Sequence, residues 1–246
     1  MTYCVAIKLD AGMLFASDSR SNATVDNFAK FCKMTVFERQ DDRVLVMLSS
    51  GGLAGTQAVI SLLQQRARTE DAANLYTASS MFDVAQLVGD AMRDVDRRDG
   101  KYLAQSKLSF NASFLLGGQI KGEAPRLFRL YAEGNFIEAT WDTPFFQTGE
   151  TKYGKPVLDR VITRETSLDD AAKCVLVSFD STMSSNLSVG MPINLLCYER
   201  DSFEVRKRCR FDEGDPYFTA LSREWCEGTR RVLAELPELN WLEHSS

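Results

Sequence analysis

Residues 2–20 read TYCVAIKLDAGMLFASDSR. Tyr3, Val5, Ile7 and Leu9 alternate with smaller or polar residues, which is the period of a strand. Asp10, Ala11 and Gly12 make a turn, and MLFASDSR follows as a second strand. Strands joined this tightly run antiparallel, so the hairpin carries Asp18 and Arg20 back beside the chain start. That return makes Thr2 a residue to watch.

The pattern continues outward from this hairpin. KMTVFE and VLVMLSS form a second pair around the turn RQDDR, so four strands come first, in hairpin order with a polar loop between the pairs. At GGLAGTQAVISLLQQRA the period changes: Val59, Leu62 and Leu63 keep helical spacing, with Gly51 and Gly52 just ahead of the helix. A second helix places Val84, Leu87, Val88, Ala91 and Val95 on one face. Strands return in LSFNASFLLGGQI, RLFRLYAE and GNFIEATW. Helices follow around YGKPVLDRVI and SLDDAAKCVLVSFDS, the latter setting Ala172, Val175, Leu176 and Phe179 on one stripe. PINLLCYER and FEVRKRCRF are strands, and a last helix from Pro216 carries Phe218, Leu221, Trp225 and Val232. Two antiparallel sheets need covering by two helix pairs. The economical arrangement is an α+β fold, a four-layer αββα sandwich with helices outside and sheets facing each other. One domain is expected over 1–246, with a C-terminal helical extension from about 215.

A chain of 246 residues with 44% hydrophobic and 26% charged residues can bury a sizeable core unaided. The net charge of −5 argues against a general phosphate-binding surface. Arg206, Lys207, Arg208 and Arg210 form a short basic run with Glu204 and Asp212 beside it, read as a solvated face. The six cysteines show no C-x-x-C pair and no zinc-like spacing, which points to buried free thiols in a reducing compartment. No apolar signal segment or membrane-length run is present, so a cytoplasmic protein with only one methionine ahead of Thr2 is expected. Membrane, metal, cofactor and nucleic-acid roles all read poorly.

Hydrolytic chemistry faces a shortage of bases. The only histidine is His244, near the end of the chain, so Ser-His-Asp and Cys-His arrangements are unavailable. H-E-x-x-H, P-loop and G-x-G-x-x-G motifs are missing too. An α-amine is an alternative base, because its ordinary pKa is about 7.7–8.0. A threonine that starts the chain carries nucleophile and base in one residue. It needs a cation nearby, a carboxylate to orient that cation, and N–H donors for the oxyanion. Thr2, Lys33, Asp18 and the Gly51-Gly52 pair ahead of a helix supply these in order. Each alone has an ordinary structural reading: a D-x-R at a strand end is usually a surface ion pair, and a double glycine is usually a turn.

The ordered series Thr2, Asp18-Ser19-Arg20, Lys33 and Ser50-Gly51-Gly52-Leu53-Ala54 resembles the active-site series of proteasome beta subunits, the N-terminal threonine hydrolases. Within that family the chain looks most like the bacterial ancestral beta-subunit group, Anbu. The block SFDSTMSSNLSVGMPINLL and the helical tail ending near ELNWLEH add to the likeness, which spans essentially the whole chain.

The resemblance implies an N-terminal nucleophile hydrolase fold and a peptidase with a set of roles. Thr2 would be the nucleophile after Met1 is removed, Lys33 would lower the pKa of its hydroxyl, and Asp18 would hold Lys33. Arg20 would give support, and the Gly51 N–H would serve the oxyanion. Asp180 and Ser188 would flank the amine, while Ser49 and Leu53 would line the pocket for the residue before the scissile bond. The pattern is altered in two places. Met183 stands at the usual serine offset from Asp180, leaving Ser184 or Ser188 as the candidate. The family's Gly-Ser-Gly becomes Gln147-Thr148-Gly149, with Glu150 beside it and Thr148 able to supply the hydroxyl. A homo-oligomer, as a ring or an open spiral, is the implied partner state. Peptides or amides are the implied substrates, and an ATP-dependent partner is left open. Two rivals remain: a small-amide acylase of the same fold, and a non-catalytic scaffold subunit. Replacing Lys33 by Ala is expected to abolish activity with the thermal melt little changed.

Overall fold

The structure, a computed structural model, describes residues 2–24, 27–69 and 73–239. Met1 and the tail from Asn240, including His244, lie outside the described residues.

The chain opens with β1 (Tyr3–Leu9), β2 (Gly12–Asp18), β3 (Arg20–Thr24), β4 (Asn27–Lys30), β5 (Met34–Arg39) and β6 (Arg43–Gly51). Helices α1 (Leu53–Arg66) and α2 (Met81–Gln105) follow, then β7 (Ala112–Ile120), β8 (Arg126–Leu130), β9 (Phe136–Glu138) and β10 (Phe145–Gly149). After them come α3 (Lys155–Val161), α4 (Leu168–Ser185), β11 (Ile193–Glu199), β12 (Lys207–Phe211) and α5 (Pro216–Glu235).

One five-stranded sheet runs β10-β1-β2-β11-β12 and the other β5-β6-β7-β8-β9. Every pairing within them is antiparallel. The side chains place the layers. Cys4, Ala6 and Phe15 of the first sheet share a buried cluster with Val46, Leu48 and Leu115 of the second, so the sheets pack face to face. On the outer side of the second sheet, Leu45, Met47 and Phe114 meet Val59 and Leu63 of α1 and Val84 and Val88 of α2. On the outer side of the first, the Tyr3 ring lies 4.6 Å from the Phe179 ring of α4. Helices α3 and α4 form the fourth layer. The fold is thus the expected α+β, four-layer αββα sandwich.

β1 shows why the alternation in its sequence is between large and small residues. Tyr3, Cys4, Val5, Ala6 and Ile7 are all fully buried. Small Cys4 and Ala6 face the other sheet, and the larger residues face the helices.

Three expectations need correction, and one strand had no counterpart among them. The polar stretch after β2 is not a loop but the two-stranded ribbon β3–β4. β10 pairs with β1 although FFQTG carries no apolar alternation; its Gln147 and Thr148 are buried through hydrogen bonds instead. In α4, Ala172 is only half-buried, and Ala171 and Cys174 take its place in the core. Of the six thiols, Cys4, Cys174 and Cys197 are buried, whereas Cys32, Cys209 and Cys226 are exposed.

The chain divides into a compact unit up to Glu213 and a second from Gly214 onward. In the second, Asp215 caps α5 by accepting the Phe218 N–H at 2.9 Å. Trp225 and Val232 of this helix are exposed. No helix among the described residues is long and apolar enough to cross a membrane. The run Arg206, Lys207, Arg208 and Arg210 is solvent-exposed, as expected.

Candidate active site

The hairpin register builds the site. Cys4 pairs with Ser17, which puts Asp18, the last residue of β2, opposite Tyr3. The Tyr3 N–H donates to Asp18 Oδ1 at 3.0 Å. Lys33, in the segment entering β5, donates from Nζ to the same oxygen at 2.6 Å and to the Arg20 carbonyl at 2.7 Å. Asp18 is fully buried and Lys33 nearly so. A fully buried carboxylate therefore holds an ammonium one residue from Thr2.

The other flank of the chain start is held by β10. Tyr3 pairs with Gly149, and the Thr2 carbonyl accepts the Glu150 N–H at 2.7 Å. Gly149 has φ +84°, and a Cβ there would lie 1.9 Å from the Thr2 oxygen, so only glycine fits. The Tyr3 hydroxyl donates to Ser178 Oγ at 3.0 Å and accepts from Gln147 Nε2 at 2.7 Å. Tyr3 thus fixes the strand from both ends of its own residue.

Burial pushes the Asp18 carboxyl above its ordinary value, and the Lys33 ammonium is the largest opposing influence. The Gly190 N–H approaches as a further weak donor. Even so, Asp18 Oδ2 has no partner of full hydrogen-bond geometry among the described residues. The Cys4 thiol beneath the pair is pushed far up by burial, which makes it inert rather than a rival nucleophile.

Gly51 ends β6 with φ +104°, and a Cβ there would meet the Asn111 carbonyl at 2.2 Å. Gly52 donates its N–H to that same carbonyl at 2.6 Å, so this member of the pair is spent on the fold and cannot serve an anion. Below them, Ser50 Oγ lies 2.7 Å from Ser113 Oγ and 2.6 Å from Thr148 Oγ1. The Thr148 hydroxyl, a candidate for the amine's surroundings, is therefore engaged in a cluster that ties β6, β7 and β10 together. Ser49 and Leu53 do line a cavity, of about 270 Å³, with Cys32, Lys33, Thr35 and Gln57.

The α4 end of the site does not join the two residues expected to flank the amine. Asp180 and Ser188 are both half-buried, and among the described residues no hydrogen bond joins them. Ser184 is exposed on the last turn of α4. The loop bearing Ser188 nonetheless returns to Arg20. Arg20 Nη1 donates to the Leu187 carbonyl at 2.7 Å, and a Cβ on Gly190 would sit 2.3 Å from the guanidinium carbon. Two groups escaped sequence reasoning. One is the Tyr3 hydroxyl, which only the β1–β10 register explains. The other is Asn186, which donates to Glu150 Oε2 at 2.9 Å and accepts the Ser188 N–H at 2.9 Å.

The proteasome subunit family model matches residues 2–196, so the chain belongs to that family. Among curated proteins nothing matches. Three solved structures refine the placement. The Gly-1 mutant of Anbu from Hyphomicrobium sp. strain MC1 is 49% identical over 98% of this chain and 100% of its own, with a TM-score of 0.91. Anbu, the ancestral beta-subunit, from Yersinia bercovieri is 48% identical over 98% and 100%, with a TM-score of 0.92. The helical assembly of the Anbu complex from Pseudomonas aeruginosa is 48% identical over 98% and 99%, with a TM-score of 0.93. Within the proteasome family, the chain sits with the Anbu group.

Proposed function

We propose that the protein is a threonine-dependent peptide or amide hydrolase, active once Met1 is removed. The observation that carries this is the buried Lys33–Asp18 pair at 2.6 Å, sharing its oxygen with the N–H of the residue after Thr2. A core has no packing need for an ammonium there, because buried charges cost more than the apolar residues that could replace them. Beside a hydroxyl, that ammonium stabilises the anion form and the charge that develops during attack. Thr2 Oγ would attack the substrate carbonyl, its proton passing to the α-amine directly or through one water. The tetrahedral adduct would collapse by breaking the C–N bond, the leaving amine taking the proton held by the α-amine. Water would then cleave the Thr2 ester with the α-amine again as base. The Gly51 N–H would serve the oxyanion, and the Ser49–Leu53 cavity would take the side chain before the scissile bond. Arg20 would steady the Ser188 loop. We also propose that the chain assembles with copies of itself, as the helical Anbu complex supports by kinship, and that it works in the cytoplasm.

The test pairs intact mass with activity. Protein from its native host should lack Met1, and Thr2→Ala should lose hydrolysis of peptide substrates. A Thr2→Ala protein with full activity would remove Thr2 from the mechanism.

A further inference from the structure

The Glu150 carboxylate lies next to the chain start, and the proposed reaction gives it no role. It is 9% exposed. Its Oε2 accepts from Asn186 Nδ2 at 2.9 Å, and its Oε1 from the Lys152 backbone N–H at 3.4 Å. Both donors are uncharged. A carboxylate this buried ordinarily has a cation beside it. The residue facing it supplies one conditionally. Tyr3 pairs with Gly149, so the next step of the ladder sets Thr2 against Glu150, and their backbones bond at 2.7 Å. While Met1 is attached, the Thr2 nitrogen is a neutral amide. Its removal turns that nitrogen into an ammonium.

We propose that Glu150, held by Asn186, is the counter-ion that receives the α-ammonium of Thr2 once Met1 has gone. Glu150 is thereby a positioning residue: it seats the amine and raises the pH at which that amine becomes a free base. Asn186 also takes the Ser188 N–H, so the same side chain ties this seat to the Ser188 loop. The inference rests on the reading that Thr2 begins the mature chain. Among the described residues, the charged groups near this end include Asp18 and Lys33, Lys152, Asp180 at the end of α4, and Arg20 with Glu213 around the Ser188 loop, and they are common to wild type and variant. A difference between the two proteins therefore isolates Glu150.

The experiment follows the amine itself, not turnover. Full-length protein is tagged at its amines by reductive 13C-methylation, and the α-amine signal is titrated by NMR. In Glu150→Gln the midpoint should fall by about one pH unit or more, the effect of losing an opposite charge within a few ångströms. Glu150→Ser, which loses the charge with less bulk, should show the same fall, and Glu150→Asp should restore most of it. Equal midpoints in wild type and the neutral variants overturn the counter-ion, while a chain starting at Thr2 leaves the hydrolase reading standing. Mass spectrometry of the same samples separates the two claims, since Met1 retained in wild type overturns both.

Discussion

Lys33 Nζ lies 2.6 Å from Asp18 Oδ1, and the pair is sealed from solvent, with side-chain exposures of 8% and 0%. Taking two charges out of water is costly, and a pair in this setting holds only while both partners remain. The same contact that would activate Thr2 is therefore part of what keeps this end of the sandwich folded.

Burial revises the expectation for Lys33→Ala. Activity should vanish, but stability should fall as well, by up to about 3–5 kcal/mol for a buried pair losing one partner, and the melt with it. The loss should depend on pH. Burial already raises the Asp18 carboxyl, and without Lys33 its largest opposing influence is gone. A carboxyl whose folded value is raised binds its proton more readily in the native state. Its stability is fullest below the unfolded value, about 3.9, and is lost as pH rises through the folded one. Thermal melts at about pH 5 and pH 7.5 should show the gap to wild type narrowing at the lower pH. A gap that does not change with pH would contradict this assignment.

Gly149→Ala should damage the chain start directly. The added carbon would collide with the Thr2 carbonyl and hold φ +84° against its preference. Backbone strain of this kind costs about 1–3 kcal/mol, and displacement of Thr2 should cost most of the activity. Parallel melts and peptide-hydrolysis assays check both effects.

Tyr3→Phe removes one hydroxyl and leaves Gln147 Nε2 buried without its acceptor. A loss of about 1–3 kcal/mol is expected for an orphaned buried group. At about 2–4 °C per kcal/mol for a chain of this size, calorimetry resolves it. An unchanged melting temperature would mean that water replaces the hydroxyl.

Alkylation of the native protein should separate its thiols. Cys174 and Cys197 are pushed up to about 11 by burial, and Cys4 further still. Cys32, Cys209 and Cys226 are exposed. Iodoacetamide at mildly alkaline pH should label the exposed three first, and all six only in denaturant, as peptide mapping would show.

The hairpin in residues 2–20 was legible because strand period and turn residues are local signals, and the same signals placed both sheets and the helices that cover them. Asp18 and Lys33 were legible through the order of motifs, and the structure brings them together. β10 was not, because its buried residues are held by hydroxyl and amide bonds to β6, β7 and Tyr3, which leave no apolar alternation. Gly52 looked like an anion donor for a similar reason: whether an N–H is spent depends on Asn111, distant in sequence. The partnership of Glu150 with Asn186 depends on α4 ending where it does, and residue spacing does not encode that.

The central claim is that Thr2 carries the acyl group during turnover. Acid quenching during hydrolysis of a slowly cleaved ester or amide, followed by mapping of the N-terminal peptide by mass spectrometry, tests it most directly. The account predicts the acyl mass on Thr2 of a chain lacking Met1, and its loss in Thr2→Ala. An acyl group on any other residue, or hydrolysis that continues undiminished in Thr2→Ala, would contradict it.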